Sequence, residues 1–280
     1  MGRALAMGAL LLTLAGQSHA EPRRKDFQVG GRPVTVLLPS TGDGPWPVLY
    51  LMGGMGELSR GETVSAASWV DDYELATVVS ALERGRLSKS TFRGLVTSSA
   101  FAAYERRLRR GFGGVVLVGL PAPVDLTSEF ERYVLETVIP WAERSLPVRP
   151  GAAHRGIDGV SLGGRHALRI GFGNPSSFRS VGAVQGAVRG RQATLLALVQ
   201  AHSEGCRRLA VNLVTSDGDG YRGAIATFAR ALRREKLTVR LADLTGPHDY
   251  VFNRGPGAVD LLLFHDGVLN GNASQGKTTR

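Results

Sequence analysis

The chain has 280 residues, of which 43% are hydrophobic and 21% are charged, and its formal net charge is +10. This length and apolar content favour one α/β domain with a sizeable core. The positive charge is spread over arginines without a nucleic-acid-binding motif, which argues against a nucleic-acid partner, although a basic surface favours anionic substrates or membrane surfaces. The single cysteine, Cys206, excludes an intramolecular disulfide, and its neighbours match no cysteine-enzyme signature.

The N-terminus has the pattern of a secretory signal peptide. Met1-Gly2-Arg3 supplies a positive start, residues 4–16 are apolar, and Ser18-His19-Ala20 places small residues at the cleavage positions. We expect cleavage after Ala20 and a secreted or periplasmic protein. The alternative is an N-terminal membrane anchor, although the apolar run falls short of the ~20 residues that a spanning helix needs.

Strand patterns alternate with helix patterns over residues 21–269, which we expect to form one domain. A hairpin is predicted for residues 27–39 and a buried strand for 47–52, ahead of the glycine cluster 53–56. Further strands are predicted at residues 114–121, 153–158, 181–184, 209–214 and 237–241. Helices are predicted at residues 73–82, 97–110, 130–146, 165–172, 193–202, 223–235 and 258–269. This order predicts a mostly parallel sheet with helices on both faces, followed by a polar, disordered tail at residues 270–280.

The segment 57–110 is longer than a simple crossover between two strands needs. Its helix at residues 73–82 is expected to be capped by Asp71 or Asp72. Asp71, Asp72 and Glu74 are therefore attributed to a helix start rather than to a metal site. Part of the segment is expected to form a cap over the functional site.

The strongest motif is Gly159-Val160-Ser161-Leu162-Gly163-Gly164, between a predicted strand and a predicted helix. Strand, G-x-S-x-G and helix together are typical of a nucleophile elbow, in which a strained turn exposes the serine. Gly159 and Gly163 leave room where the two backbones approach each other. The Leu162 N–H lies at a helix N-terminus and can face a developing oxyanion. The alternative is a glycine-rich turn that contains Ser161 by chance, in a chain with 37 glycines.

A serine nucleophile needs a base and an acid, and with this elbow they follow the serine in the order acid, then histidine. His248, just past the last predicted strand, is the predicted base, whereas His265 is interpreted as a packed or solvent-facing helix residue. Asp217 and Asp219 both follow the strand at 209–214. We favour Asp219 as the acid that orients the imidazole and keep Asp217 as the alternative, because an Asp-Gly pattern also indicates a plain turn.

The glycine cluster after the strand at 47–52 supplies a candidate second oxyanion donor, the backbone N–H of Gly54. The alternative is a flexible turn. The remaining histidines have no spacing of the H-E-x-x-H type: His154, His166 and His202. We therefore expect neither a metal nor another cofactor.

With these motifs, residues 27–269 resemble a known family, the putative-esterase group of α/β-hydrolases. This group includes esterase D (S-formylglutathione hydrolase), siderophore esterases, feruloyl esterases and mycolyltransferases. The most specific parts are residues 47–54, the helix 130–146 that leads to the elbow, residues 174–178 and Gly246-Pro247-His248-Asp249-Tyr250. The family's His-Gly oxyanion turn falls on Met52-Gly53, with Met52 in place of the usual histidine. The resemblance carries the oxyanion role to Gly54, with Leu162 as the second donor.

The resemblance implies a serine esterase that cleaves a small-molecule carboxylic ester through an acyl-enzyme, on an α/β-hydrolase fold. One alternative is an acyltransferase of the mycolyltransferase type, which passes the acyl group to an alcohol other than water. Another is a non-catalytic binding protein on the same fold. Residues 57–110 match the family poorly, so the acyl and alcohol specificity stays open, as does the oligomeric state.

Overall fold

The structure is a computed structural model that describes residues 20–271. The predicted signal peptide, apart from Ala20, and most of the predicted tail lie outside these residues. Eight strands form one sheet: β1 (Arg23–Val29), β2 (Arg32–Leu38), β3 (Val48–Met52), β4 (Val116–Gly119), β5 (Arg155–Gly159), β6 (Ser180–Val184), β7 (Ala210–Gly218) and β8 (Thr238–Pro247). Their order across the sheet is β1-β2-β4-β3-β5-β6-β7-β8. Strand β2 is antiparallel to both of its neighbours, β1 and β4, and strands β3 to β8 run parallel to one another.

Helices connect the parallel strands. They are α1 (Met55–Leu58), α2 (Glu62–Asp71), α3 (Leu75–Glu83), α4 (Ser98–Leu108), α5 (Ser128–Arg132), α6 (Ile139–Ser145), α7 (Ser161–Gly173), α8 (Gln192–Ala201), α9 (Ser203–Cys206), α10 (Arg222–Arg234), α11 (Tyr250–Phe252) and α12 (Ala258–Leu269). A π-helical stretch, Tyr133–Val138, joins α5 to α6 just before Pro140. Proline has no N–H to continue an α-helical ladder, and the wider turn accommodates it. The predicted helix 130–146 is therefore one helical rod with a π-helical centre.

The core has two halves, one on each face of the sheet, because side chains alternate along a strand. In β3, Tyr50 and Met52 pack with α5 to α8 and α10. Leu49 and Leu51 point to the other face and pack with α2, α3, α4 and α12. The structure thus confirms the α/β fold with a mostly parallel sheet covered on both faces. Across the described residues, no helix has the length and apolar character needed to cross a bilayer.

The segment 57–110 differs most from its prediction. It contains an additional helix, α2, which continues through Asp71 and so removes that residue as a cap of α3. The N-cap of α3 is Glu74, in a left-handed conformation with φ of +49°, rather than Asp71 or Asp72. The two aspartates instead form surface ion pairs, Asp71 with Arg24 and Asp72 with Arg60.

A buried ionic network joins α12 to β8 and α4. The Asp260 carboxylate is fully buried and accepts hydrogen bonds from Arg240, at 2.6 Å, and from the Tyr104 hydroxyl, at 2.8 Å. Arg107 and Asn212 complete its partners. Burial alone raises the pKa of Asp260, but the Arg240 and Arg107 guanidinium groups outweigh it and hold that pKa below its ordinary value of 3.8.

Replacing Asp260 by asparagine is expected to lower the free energy of unfolding by about 3 kcal/mol near neutral pH, because Arg240 loses its counter-charge. The folded carboxyl has the lower pKa, so its contribution is complete above the unfolded pKa of 3.8 and is lost as the pH falls through the folded value. Urea unfolding of the two proteins should therefore converge in acid. The matched control is Asp243→Asn, which breaks an exposed ion pair with Arg222 and should change stability far less. Equal losses in both variants would contradict the prediction.

Candidate active site

Ser161 lies in a strained turn between β5 and α7. Its φ is +52°, in the left-handed region that costs an ordinary residue about 1–2 kcal/mol. The Val160 N–H donates to the Met52 carbonyl, at 3.2 Å, and the Ser161 carbonyl accepts from the Ala187 N–H, at 2.9 Å. Hydrogen bonds on both sides thus hold the turn in place. The Ser161 side chain is only partly buried, as a nucleophile elbow requires.

Backbone contacts explain two glycines of the elbow. A Cβ atom on Gly163 would lie 2.2 Å from the carbonyl oxygen of Gly53, at the end of β3. A Cβ on Gly159 would lie 2.5 Å from the carbonyl carbon of Gly163. Any side chain at either position would force the elbow away from β3 or from its own helix. These contacts bring the Gly53-Gly54 turn next to the start of α7.

His248 follows β8 and is held by Asp219. Its Nδ1 lies 2.9 Å from Asp219 Oδ1, and because a carboxylate only accepts, Nδ1 carries the proton and Nε2 of the neutral ring can accept one. The Asp219 carboxylate also accepts from the Tyr221 N–H, at 2.8 Å, and from the Thr215 hydroxyl, at 2.7 Å. Burial raises the pKa of Asp219, but these hydrogen bonds, led by that from His248, hold it below 3.8.

Asp217, the alternative acid, has a different partner. Its exposed carboxylate accepts the Gly246 N–H at 2.9 Å, two residues before His248. It therefore supports the loop that carries the histidine without touching the imidazole. The structure brings Asp219, and not Asp217, into contact with His248.

A buried glutamine, Gln185, ties the serine loop to the histidine loop, and the sequence patterns did not single it out. Its side-chain amide donates to the Pro247 carbonyl, at 2.9 Å, and to the Ser216 hydroxyl, at 2.8 Å. Two residues further on, Ala187 binds the Ser161 carbonyl. The loop after β6 therefore fixes both candidate residues. Within residues 20–271, the Ser161 hydroxyl makes no hydrogen bond. A hydrogen bond between a nucleophile and its base often forms fully only when substrate is bound.

The turn after β3 contains a buried carboxylate that the sequence did not indicate as part of the site. Glu57 accepts the Gly54 N–H at 2.8 Å, so the predicted oxyanion donor already has a partner. The hydroxyl groups of Tyr73 and Tyr250 donate to the same carboxylate. The Gly54 N–H is thus part of the cap of α1. By contrast, the Leu162 N–H, in the first turn of α7, has no acceptor among the described residues.

A second Ser-His-Asp chain lies beneath the elbow. His265 Nδ1 is 2.7 Å from the Ser180 hydroxyl, and its Nε2 is 2.9 Å from Asp158 Oδ2. All three side chains are fully buried, so none can meet a substrate. Asp158 also accepts the Gly159 N–H, at 2.6 Å. This second chain connects α12 to β5 and β6, and His265 is a packed residue rather than an alternative base.

The rim of the site carries three exposed large hydrophobic side chains. Met55 follows the Gly54 turn, and Tyr250 and Val251 follow His248; each is at least 40% exposed. The rings of Tyr250 and Tyr73 lie 5.5 Å apart, which anchors this rim to the turn between α2 and α3. Within residues 20–271, no group of three metal-binding side chains comes together.

The elbow, the Asp219–His248 pair and the parallel sheet define the α/β-hydrolase class of fold. A family model described as "Putative esterase" matches residues 30–202. The chain belongs to this family and is a carboxylic-ester hydrolase. A comparison with curated protein sequences gives no significant match.

Solved structures show the same fold at low sequence identity. A ferulic acid esterase is 17% identical with a TM-score of 0.67, over 89% of this chain and 99% of that chain. FphF, a fluorophosphonate-binding serine hydrolase of Staphylococcus aureus, is 13% identical with a TM-score of 0.61, over 88% and 98%. A ferulic acid esterase from Anaeromyces mucronatus, in complex with ferulic acid, is 16% identical with a TM-score of 0.60, over 91% and 94%.

Proposed function

We propose that the protein hydrolyses its ester through an acyl-enzyme, with Ser161 as nucleophile, His248 as general base and acid, and Asp219 as the residue that orients the imidazole. The observation that carries this proposal is the pairing of Asp219 with His248 Nδ1, together with a serine held at φ of +52° whose loop Gln185 ties to the histidine loop. The family membership and the esterase neighbours support the same chemistry.

In the first step, His248 Nε2 accepts the Ser161 proton while Ser161 Oγ forms a bond to the ester carbonyl carbon. The tetrahedral intermediate collapses as the C–O bond to the alcohol breaks, and the imidazolium returns the proton to the departing alkoxide. Water, deprotonated by His248, then attacks the acyl-enzyme and releases the carboxylic acid. Asp219 keeps the imidazole in the required tautomer and stabilises its cationic form.

The Leu162 N–H is the first oxyanion donor in this proposal, because it lies at the start of α7 and has no acceptor in the described chain. Gly54 is the second donor, and it can act only when its hydrogen bond to Glu57 opens. A carboxylate beside the developing oxyanion would repel it, so displacement of Glu57 belongs to the catalytic cycle.

The experiment is active-site labelling with a fluorophosphonate, followed by peptide mass mapping. We expect one adduct per chain, on Ser161, and loss of labelling in Ser161→Ala. Prior addition of a hydrolysable ester such as p-nitrophenyl acetate should slow the labelling. A folded protein that stays unlabelled, or that is labelled on another residue, would overturn the assignment and favour a binding protein on this fold.

We also propose that residues 21–269 form one catalytic unit, secreted or periplasmic, that takes a small-molecule ester. This rests on the signal-like pattern ending at Ala20 and on the single sheet of the described chain. Mass measurement of the protein recovered outside the cytoplasm of a bacterial host would locate the cleavage site.

A further inference from the structure

Four arginines lie on two segments next to Ser161, helix α7 and the loop after β6. Arg165 and Arg169 are on α7, and Arg165 lies one helical turn beyond Ser161, on the same face of the helix. Arg189 and Arg191 are on the loop after β6, the loop whose backbone binds the Ser161 carbonyl. Positive charge is therefore concentrated on the α7 side of the site.

None of these arginines forms an ion pair with a carboxylate among residues 20–271. The Arg189 guanidinium donates to the Gly220 carbonyl and lies 5.4 Å from the centre of the Tyr221 ring. That ring in turn lies 5.5 Å from the His248 ring. A single aromatic ring thus separates this cation from the candidate base.

Arg165 is the most enclosed of the four. It is half-buried, and burial together with the nearby charge of Arg191 lowers the pKa of its guanidinium. The nearest carboxylate to influence it, Asp125, is exposed and forms no ion pair with it. A bound anion would replace the lost hydration of Arg165 and offset the repulsion from Arg191.

Among the described residues, the opposite side of the site has no comparable set of unpaired cations. There the buried Glu57 carboxylate, which binds the Tyr250 hydroxyl, lies 3.8 Å from Arg60, and Arg60 also pairs with Asp72. The other exposed side chains of this rim are apolar. An anionic substrate group is therefore attracted to the Arg165 side rather than to this rim.

We propose, on the basis of the proposed hydrolase function, that Arg165 with Arg189 and Arg191 forms an anion subsite. The preferred ester carries a carboxylate or sulfonate on either its acyl or its alcohol part. The anionic group binds on the α7 side of Ser161, and the uncharged part lies along the Met55 and Tyr250 rim.

Matched ester pairs test this subsite and identify which part carries the charge. In the alcohol arm, 4-acetoxybenzenesulfonate is compared with neutral 4-acetoxybenzenesulfonamide. In the acyl arm, phenyl 4-sulfobenzoate is compared with phenyl 4-sulfamoylbenzoate. We expect kcat/KM to favour the anionic member by about tenfold in one arm, as is typical of a partly exposed charge-assisted hydrogen bond. Raising the ionic strength from about 50 to about 500 mM should reduce that ratio.

Arg165→Gln is expected to bring the anionic-to-neutral ratio close to one in the preferred arm. Arg169→Gln is the matched control: it removes the same charge one turn further along α7, from an exposed arginine bound to the Leu126 carbonyl, and should leave the ratio unchanged. Cleavage of the neutral esters without an anionic preference in either arm, or equal effects of the two variants, would overturn the subsite while the hydrolase function stands. Failure to cleave any of the four esters would overturn both.

Discussion

Replacing Ser161 by alanine is expected to lower kcat for a neutral ester such as p-nitrophenyl acetate by at least about 10⁴-fold. The reason is that Ser161 is the proposed nucleophile, and loss of a triad nucleophile typically has an effect of this size or larger. Initial rates over a range of ester concentrations, corrected for the buffer reaction, measure the change. Residual activity within tenfold of the wild type would show that the serine is not the nucleophile.

A second substitution at the same position separates catalysis from backbone strain. Ser161→Gly should be as inactive as Ser161→Ala, but it removes the Cβ that makes φ of +52° unfavourable. The gain of about 1–2 kcal/mol exceeds the entropic cost of glycine, so the glycine variant should unfold at a higher urea concentration than the alanine variant. Equal stability of the two variants would mean that the strain at this position is no larger than the entropic cost of glycine.

The elbow could be predicted from the sequence because its chemistry is local. Gly159, Ser161 and Gly163 lie within five consecutive residues, and the strand and helix patterns flank them directly. Their spacing reflects backbone contacts, such as the 2.2 Å clash that a Cβ on Gly163 would make with Gly53. The order of strands and helices likewise predicts a parallel sheet, since short alternating elements leave few other arrangements.

Contacts between distant segments could not be predicted in this way. Glu57 meets the Tyr250 hydroxyl across nearly 200 residues of sequence, and no local pattern marks it as a capping residue at the predicted oxyanion turn. Gln185 is a single polar residue after a short strand, and its role depends on the loop that holds Pro247. The predicted cap of α3 was wrong for a related reason. Helix α2 packs against the sheet and includes Asp71, so that residue cannot cap the next helix.

Asp219→Asn is expected to lower kcat by about 10³–10⁴-fold with little effect on the fold. Asparagine keeps the shape, and its oxygen at the Oδ1 position can accept both the Tyr221 N–H and the His248 Nδ1–H, while its amide NH2 faces the Thr215 hydroxyl. The imidazole then keeps its orientation, but the cationic form that arises when His248 takes the Ser161 proton loses its counter-charge. The loss should be smaller at high pH, where hydroxide can assist deprotonation of the serine.

Asp217→Asn is the matched control for this experiment. It removes the same charge two residues earlier, at the end of β7, and its side-chain oxygen can still accept the Gly246 N–H. We expect its kcat to stay within about threefold of the wild type, since an exposed charge without imidazole contact has little influence on the proton transfer. Equal losses in the two variants would mean that negative charge near His248, rather than the 2.9 Å contact with Nδ1, supports the reaction. A large difference in kcat between the two variants would assign the acid to Asp219. The two aspartates are two residues apart and carry the same charge, and only Asp219 contacts the imidazole.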